Sequence, residues 1–190
     1  MSLMELIARA DERGLAASGL ACSDRCVPLL VGDDEVLRPL WAHLAEDTDW
    51  SASLEKARDA LGAADPGEPD SGAAEAVRLT RGMLDEAPAE RTPEALRAWA
   101  DACSVASLRI HRLLDPAVDD TTPADDVEAE RAGGPESASP LVAADLRRQI
   151  LVLELLAEHG GQGLRRALDV SGEGRRVLRA VVSRRERGRA

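Results

Sequence analysis

The sequence contains no phenylalanine and no tyrosine, and its aromatics are limited to three tryptophans. Strands are ordinarily filled by aromatic and β-branched side chains. Their scarcity argues against a sandwich or barrel and leaves Leu, Val and Ala to build a core. Small side chains of that kind let backbones approach closely, as tightly packed helices require. Long hydrophobic runs are missing as well. The longest apolar stretch, Ile150–Ala157, is interrupted by Glu154 and falls far short of the roughly 20 residues that span a bilayer. Met1–Ala10 carries Glu5 and Arg9 and lacks the continuous apolar segment of a secretory signal, so a cytoplasmic location without membrane contact is expected. Cys22, Cys26 and Cys103 make an odd count with no framework spacing, which reads as reduced thiols. Lys56 is the single lysine. That bias, with heavy Ala and Gly use, reflects the codons of a GC-rich genome rather than chemistry.

What is present is charge, unevenly placed. Residues 161–190 hold nine Arg against three acids, a net of +6. Removing these from the whole-chain counts of 24 basic and 35 acidic residues leaves 15 and 32, a net of −17 for residues 1–160. A basic segment on an acidic body can reach for a polyanion, fold back on its own protein, or contact a neighbouring copy.

The hydrophobic pattern is helical throughout, and the fold expected is an all-α irregular bundle of six to eight helices with no sheet. Ser2 and Glu5 form a capping box opening a helix to about Ser18. A shorter helix over Leu20–Val27 ends near Pro28, and Asp33 or Asp34 caps a third through Glu46. Pro39 there marks either a bend or the true first turn. A fourth helix covers Ser51–Leu61, before a Pro- and Gly-rich linker at Gly62–Gly72. Ala73–Glu86 follows with Val77, Thr80, Met83, Leu84 and Ala87 inward. Thr92 and Pro93 start the clearest element, Pro93–Leu114, whose seam runs Leu96, Trp99, Cys103, Ala106, Ile110, Leu113. Pro116–Ser139 holds seven acids and one Arg without apolar periodicity and reads as a disordered acidic loop. Ser139-Pro140 caps a helix to His159, apolar almost all round at Ile150–Leu156 and expected to lie centrally. Gly160, Gly161 and Gly163 stop it, and two short helices, Leu164–Val170 and Gly174–Arg187, complete the chain. The organisation is thus a single bundle: 1–115 as its N-terminal part, 116–139 as loop, and 140–190 closing it with an Arg-rich end.

Few residues carry a chemical signature. Cys22 and Cys26 share a helix face, but a structural zinc site needs four ligands and the histidines are scattered singly, so no metal is expected. Glu154 lies in one polar stripe with Arg147 and Glu158, a solvated edge rather than a buried base. The Glu-x-x-His spacing of di-iron bundles is absent. Gly160–Gly163 and Ser171–Gly174 follow no strand and are helix stops rather than phosphate loops. Without a catalytic constellation or cofactor motif, the expectation is a protein that is not an enzyme and takes no cofactor. Trp41 and Trp99 are candidate ligand-cavity residues, though both fall on inward stripes.

One segment resembles a known pattern. Leu155–Gly161, Leu164–Ser171 and Gly174–Arg187 resemble the helix order of bacterial helix-turn-helix repressors, with Ala167-Leu168-Asp169-Val170-Ser171 similar to their turn. The resemblance covers about a fifth of the chain and departs from the pattern in a short second helix and in Arg175, where an apolar residue normally packs. It implies a recognition helix in which Arg175, Arg176, Arg179, Arg184 and Arg185 contact phosphates. The acidic body opposes this, because screening over about 8 Å only partly hides its charge from a duplex. The reading favoured is a non-catalytic cytoplasmic protein that acts by protein–protein contact or as a homodimer, with those arginines pairing with acidic groups on its own bundle or on a partner. A DNA-binding regulator and a small-molecule-binding bundle are the alternatives.

Overall fold

The computed structural model describes residues 1–33, 35–63, 71–118 and 127–189. The chain is an all-α bundle: α1 Leu3–Arg9, α2 Glu12–Cys26, α3 Arg38–Glu46, α4 Ser51–Ala60, α5 Gly72–Asp85, α6 Pro93–Leu114, α7 Val127–Gly133, α8 Pro140–His159 and α9 Gly163–Arg189. The capping box at Ser2 and Glu5 is formed. The first helix ends at Arg9 rather than near Ser18, because Asp11 is an N-cap: its carboxylate accepts from the Gly14 amide at 2.7 Å. The separate helix expected at Leu20–Val27 is the second half of α2, which closes in a 3-10 turn at Val27–Leu29. Pro39 sits in the first turn of α3, and Arg38–Glu46 carries no cap from Asp33, whose carboxylate bonds Glu35 N instead. Asp34, the other proposed cap, lies outside the described residues, as does most of the 62–72 linker.

The centre of the bundle is α2, not α8. Every α2 residue from Gly14 to Cys26 is buried, with α5, α6, α8 and α9 packed around it. Its run of Ala16, Ala17, Ser18, Gly19 and Ala21 explains why: short side chains admit neighbours on all sides. Gly19 is a point of close approach, since a Cβ there would lie 2.6 Å from the Trp99 ring. The α8 segment expected at the centre keeps Glu154 and Leu151 on an exposed edge.

Three further differences bear on function. Leu30–Val31 pairs antiparallel with Gly62–Ala63, a two-residue bridge too short for alternation to reveal. The acidic stretch contains α7, held by buried Val127 and by Arg131, which pairs with Asp101 of α6; residues 119–126 lie outside the described ones. The Pro93–Leu114 seam is core: Leu96, Trp99, Cys103 and Ile110 are buried, while Ala106 and Leu113 are half-buried beside it.

Candidate functional site

The α9 helix is continuous from Gly163 to Arg189. The turn expected at Ser171–Gly174 does not exist, so the helix-turn-helix resemblance has no structural counterpart. Ser171 Oγ bonds the Ala167 carbonyl four residues back at 3.1 Å, a helical contact that satisfies the hydroxyl. Gly174 serves packing instead. A Cβ there would stand 2.3 Å from Arg25 Cδ and 3.3 Å from Arg148 Cδ, so only glycine lets α9 cross these side chains.

Beneath that crossing lies a polar cluster that the sequence pattern did not single out. Arg25 Nε donates to Asp145 Oδ1 at 2.7 Å, and both side chains are fully buried. The other carboxylate oxygen accepts from Ser107 Oγ and Gln149 Nε2, each at 2.8 Å. Ser104 Oγ donates to Gln149 Oε1 at 2.6 Å. Burial alone would raise the Asp145 pKa, but the guanidinium, His111 and these hydrogen bonds hold it well below the ordinary carboxylate range. The same carboxylate outweighs burial at Arg25 and raises its pKa. His111 Nδ1 lies 2.7 Å from the Ser107 carbonyl, which can only accept, so that nitrogen carries the proton. Burial lowers the His111 pKa, leaving the ring neutral at pH 7 with Nε2 3.8 Å from Asp145. Cys22 and Cys26 border the cluster, and burial pushes the Cys22 thiol up to about 11 and Cys26 up as well. These are protonated, unreactive sulfurs. With no solvent path to its charges, the cluster has no access for a substrate; what it does is register α2, α6 and α8 against each other.

The residue just before Arg25 in α2 carries the polar chain outward. Asp24 is buried, with Oδ1 3.6 Å from Arg175 Nη1 of α9. Burial raises its pKa to about 6 despite Arg175 and Arg25, with Glu35 adding to the rise. Asp24 Oδ2 and Trp41 Nε1 are both buried without a hydrogen bond, although the indole still lies near enough to favour the carboxylate. Arg175 continues to Glu35 at 3.4 Å, and Glu35 pairs with Arg38 at 2.9 Å. These groups open into a surface cleft of about 480 Å³, which Asp169, Glu173 and Arg176 also line.

Of the arginines picked out from sequence, Arg175 and Arg176 therefore meet at one cleft. Arg179 and Arg184 are exposed farther along α9, and Arg185 is half-buried. Trp41 and Trp99 are both packed: Trp99 Nε1 donates to the Met83 carbonyl at 2.8 Å and its ring meets Trp50 edge-on, centroids 5.8 Å apart. The indole of Trp50, the third tryptophan that the sequence offers for a ligand cavity, is buried and donates to the Pro88 carbonyl at 2.9 Å. Among the described residues no three His, Cys, Asp or Glu gather as metal ligands, and no helix is long and apolar enough to cross a membrane. Asp24, Arg25, Asp145, Ser107 and Gln149 were missed. Their only signal was spacing, Ser104, Ser107 and His111 on one α6 row and Asp145 and Gln149 at i,i+4 on α8. No family model, curated protein or solved structure matches the chain.

Proposed function

We propose that this is a non-catalytic cytoplasmic interaction protein that docks acidic surfaces of other proteins through the outer face of α9. The observation that carries the reading is one continuous helix, roughly 40 Å long, that exposes Arg176, Arg179, Arg184 and Arg187 within about 140° of arc. Its inner face is secured by buried Leu178 and by Val177, Val181 and Val182 packed on the core, so the arginines sit on a rigid support. Arginine in such a place pairs with carboxylates in fork geometry and loses little freedom in doing so. The body at −17 repels phosphodiester chains and is itself an acidic surface, so a second copy belongs to the same partner class as any other acidic protein.

A titration tests this. A fluorescein-labelled peptide with Glu at i,i+4 spacing is expected to bind the wild-type protein, and Arg176→Glu/Arg179→Glu/Arg184→Glu is expected to abolish binding with the circular dichroism spectrum unchanged. Equal binding by the folded triple variant would refute the reading.

A further inference from the structure

The cleft beside Arg175 contains an internal anion. Glu35 lies between two arginines, its Oε2 2.9 Å from Arg38 Nη1 and its Oε1 3.4 Å from Arg175 Nη2. Its side chain is 50% exposed, and Arg38 is 69% exposed, so water screens both contacts and neither holds the carboxylate firmly. Arg175 is different. It is 13% exposed and is held from behind by buried Asp24, so its guanidinium stays in place whether or not Glu35 does. No other side chain crowds the cleft at Gly172, where a Cβ would meet only Arg175 Nη2, at 3.7 Å. A pre-positioned arginine, a second arginine across from it, and a weakly held carboxylate between them form a binding site occupied by a tethered stand-in.

We propose that this cleft receives a carboxylate side chain of an acidic protein segment, which displaces Glu35 from between Arg38 and Arg175. The inference rests on the docking role of α9 and gives that role a specific pocket. Arg176 belongs to both the cleft and the exposed arginine face, so a partner lying along Arg176, Arg179 and Arg184 reaches the cleft at its end. The occupant is protein rather than nucleic acid because Asp169 and Glu173 line the same cleft. A continuous phosphate chain must pass those carboxylates, whereas a peptide places its acids only where arginines stand.

The test is fluorescence anisotropy with the labelled Glu-rich peptide on five full-length proteins: wild type, Glu35→Gln, Arg38→Gln, Glu94→Gln and Arg176→Glu/Arg179→Glu/Arg184→Glu. Glu94, exposed in the first turn of α6, controls for removal of one negative charge. Displacement predicts binding tightened about 3- to 10-fold by Glu35→Gln, weakened about as much by Arg38→Gln and nearly unmoved by Glu94→Gln. Equal tightening in the two Glu variants, or none in Glu35→Gln, overturns the stand-in role. If Glu35→Gln and Arg38→Gln bind like wild type while Arg176→Glu/Arg179→Glu/Arg184→Glu does not bind, the cleft is not used and the α9 docking role survives. Absence of peptide binding in every protein overturns both. A labelled DNA duplex that gains more from Glu35→Gln than the peptide does overturns the assignment to protein.

Discussion

Two buried aspartates in this bundle have opposite surroundings, and each makes a separate prediction. Asp145 is held below the ordinary range by Arg25, so its pairing stabilises the fold at neutral pH and that contribution fades only as pH falls through the acid range. Asp145→Asn leaves the Arg25 charge buried without a counter-charge and is expected to cost about 3–5 kcal/mol in urea denaturation. Replacing both together, as Arg25→Met with Asp145→Leu, is expected to cost clearly less than the single change. Asp24 has the reverse sign. Its folded pKa, about 6, exceeds the ordinary 3.8, so the folded state holds this proton more tightly than the unfolded chain. Stability from Asp24 is therefore complete below about pH 4 and is lost as pH rises through 6. The shift corresponds to about 3 kcal/mol at full effect. Asp24→Asn should be more stable than wild type at pH 7.5 by roughly 1–3 kcal/mol, with the gap closing by pH 4. His111 opposes this trend in wild type, because its lowered pKa makes acidification unfavourable below about pH 6.5. The difference between the two proteins removes that contribution, since both keep His111. A gap independent of pH, or a less stable Asp24→Asn, would contradict the account.

At the scale of elements, α9 decides between two architectures. In a helix-turn-helix, Gly172 and Gly174 would both belong to a turn and both resist substitution. In one continuous helix they differ. A Cβ at Gly172 meets only Arg175 Nη2, at an ordinary contact distance of 3.7 Å, so Gly172→Ala is expected to stabilise by about 0.5–1 kcal/mol through helix propensity. A Cβ at Gly174 collides with Arg25, so Gly174→Ala is expected to destabilise by about 1–3 kcal/mol despite the same propensity gain. Thermal melts of the two variants moving in the same direction would exclude this packing. The elements most legible in the sequence were those with local signals: the Ser2 box, Thr92-Pro93, the amphipathic faces of α5 and α6, and the start of α8 at Ser139-Pro140, although Ser139 Oγ is buried and makes no cap hydrogen bond. The errors share a cause. Ser171–Gly174 looks like a stop because glycine ends helices, yet Gly174 answers to Arg25, 149 residues earlier in the chain. Asp11 falls inside the stretch read as one helix but caps α2. No local pattern announces that Arg25 and Asp145, 120 residues apart, will meet. A helix buried on all sides has no amphipathic face, so α2 could not be recognised as central.

On the scale of the whole molecule, the charge division visible in the sequence persists in the fold, but not as two separate bodies. Arg175 reaches back to Asp24 and Glu35, joining the basic helix to the acidic bundle, while Arg176, Arg179 and Arg184 remain on its outer face. The binding proposed for that face is electrostatic and exposed. Raising salt from about 50 to 200 mM should therefore weaken it strongly, because the Debye length shortens across that range. The central claim is that this face recognises protein carboxylates rather than phosphodiesters. The most direct measurement compares, at physiological salt, the affinities of the labelled Glu-rich peptide and of a labelled DNA duplex for the wild-type protein and for Arg176→Glu/Arg179→Glu/Arg184→Glu. The account predicts tighter binding to the peptide than to the duplex, lost in the triple variant. Tighter binding to the duplex, or peptide binding that survives the charge reversal, would contradict it.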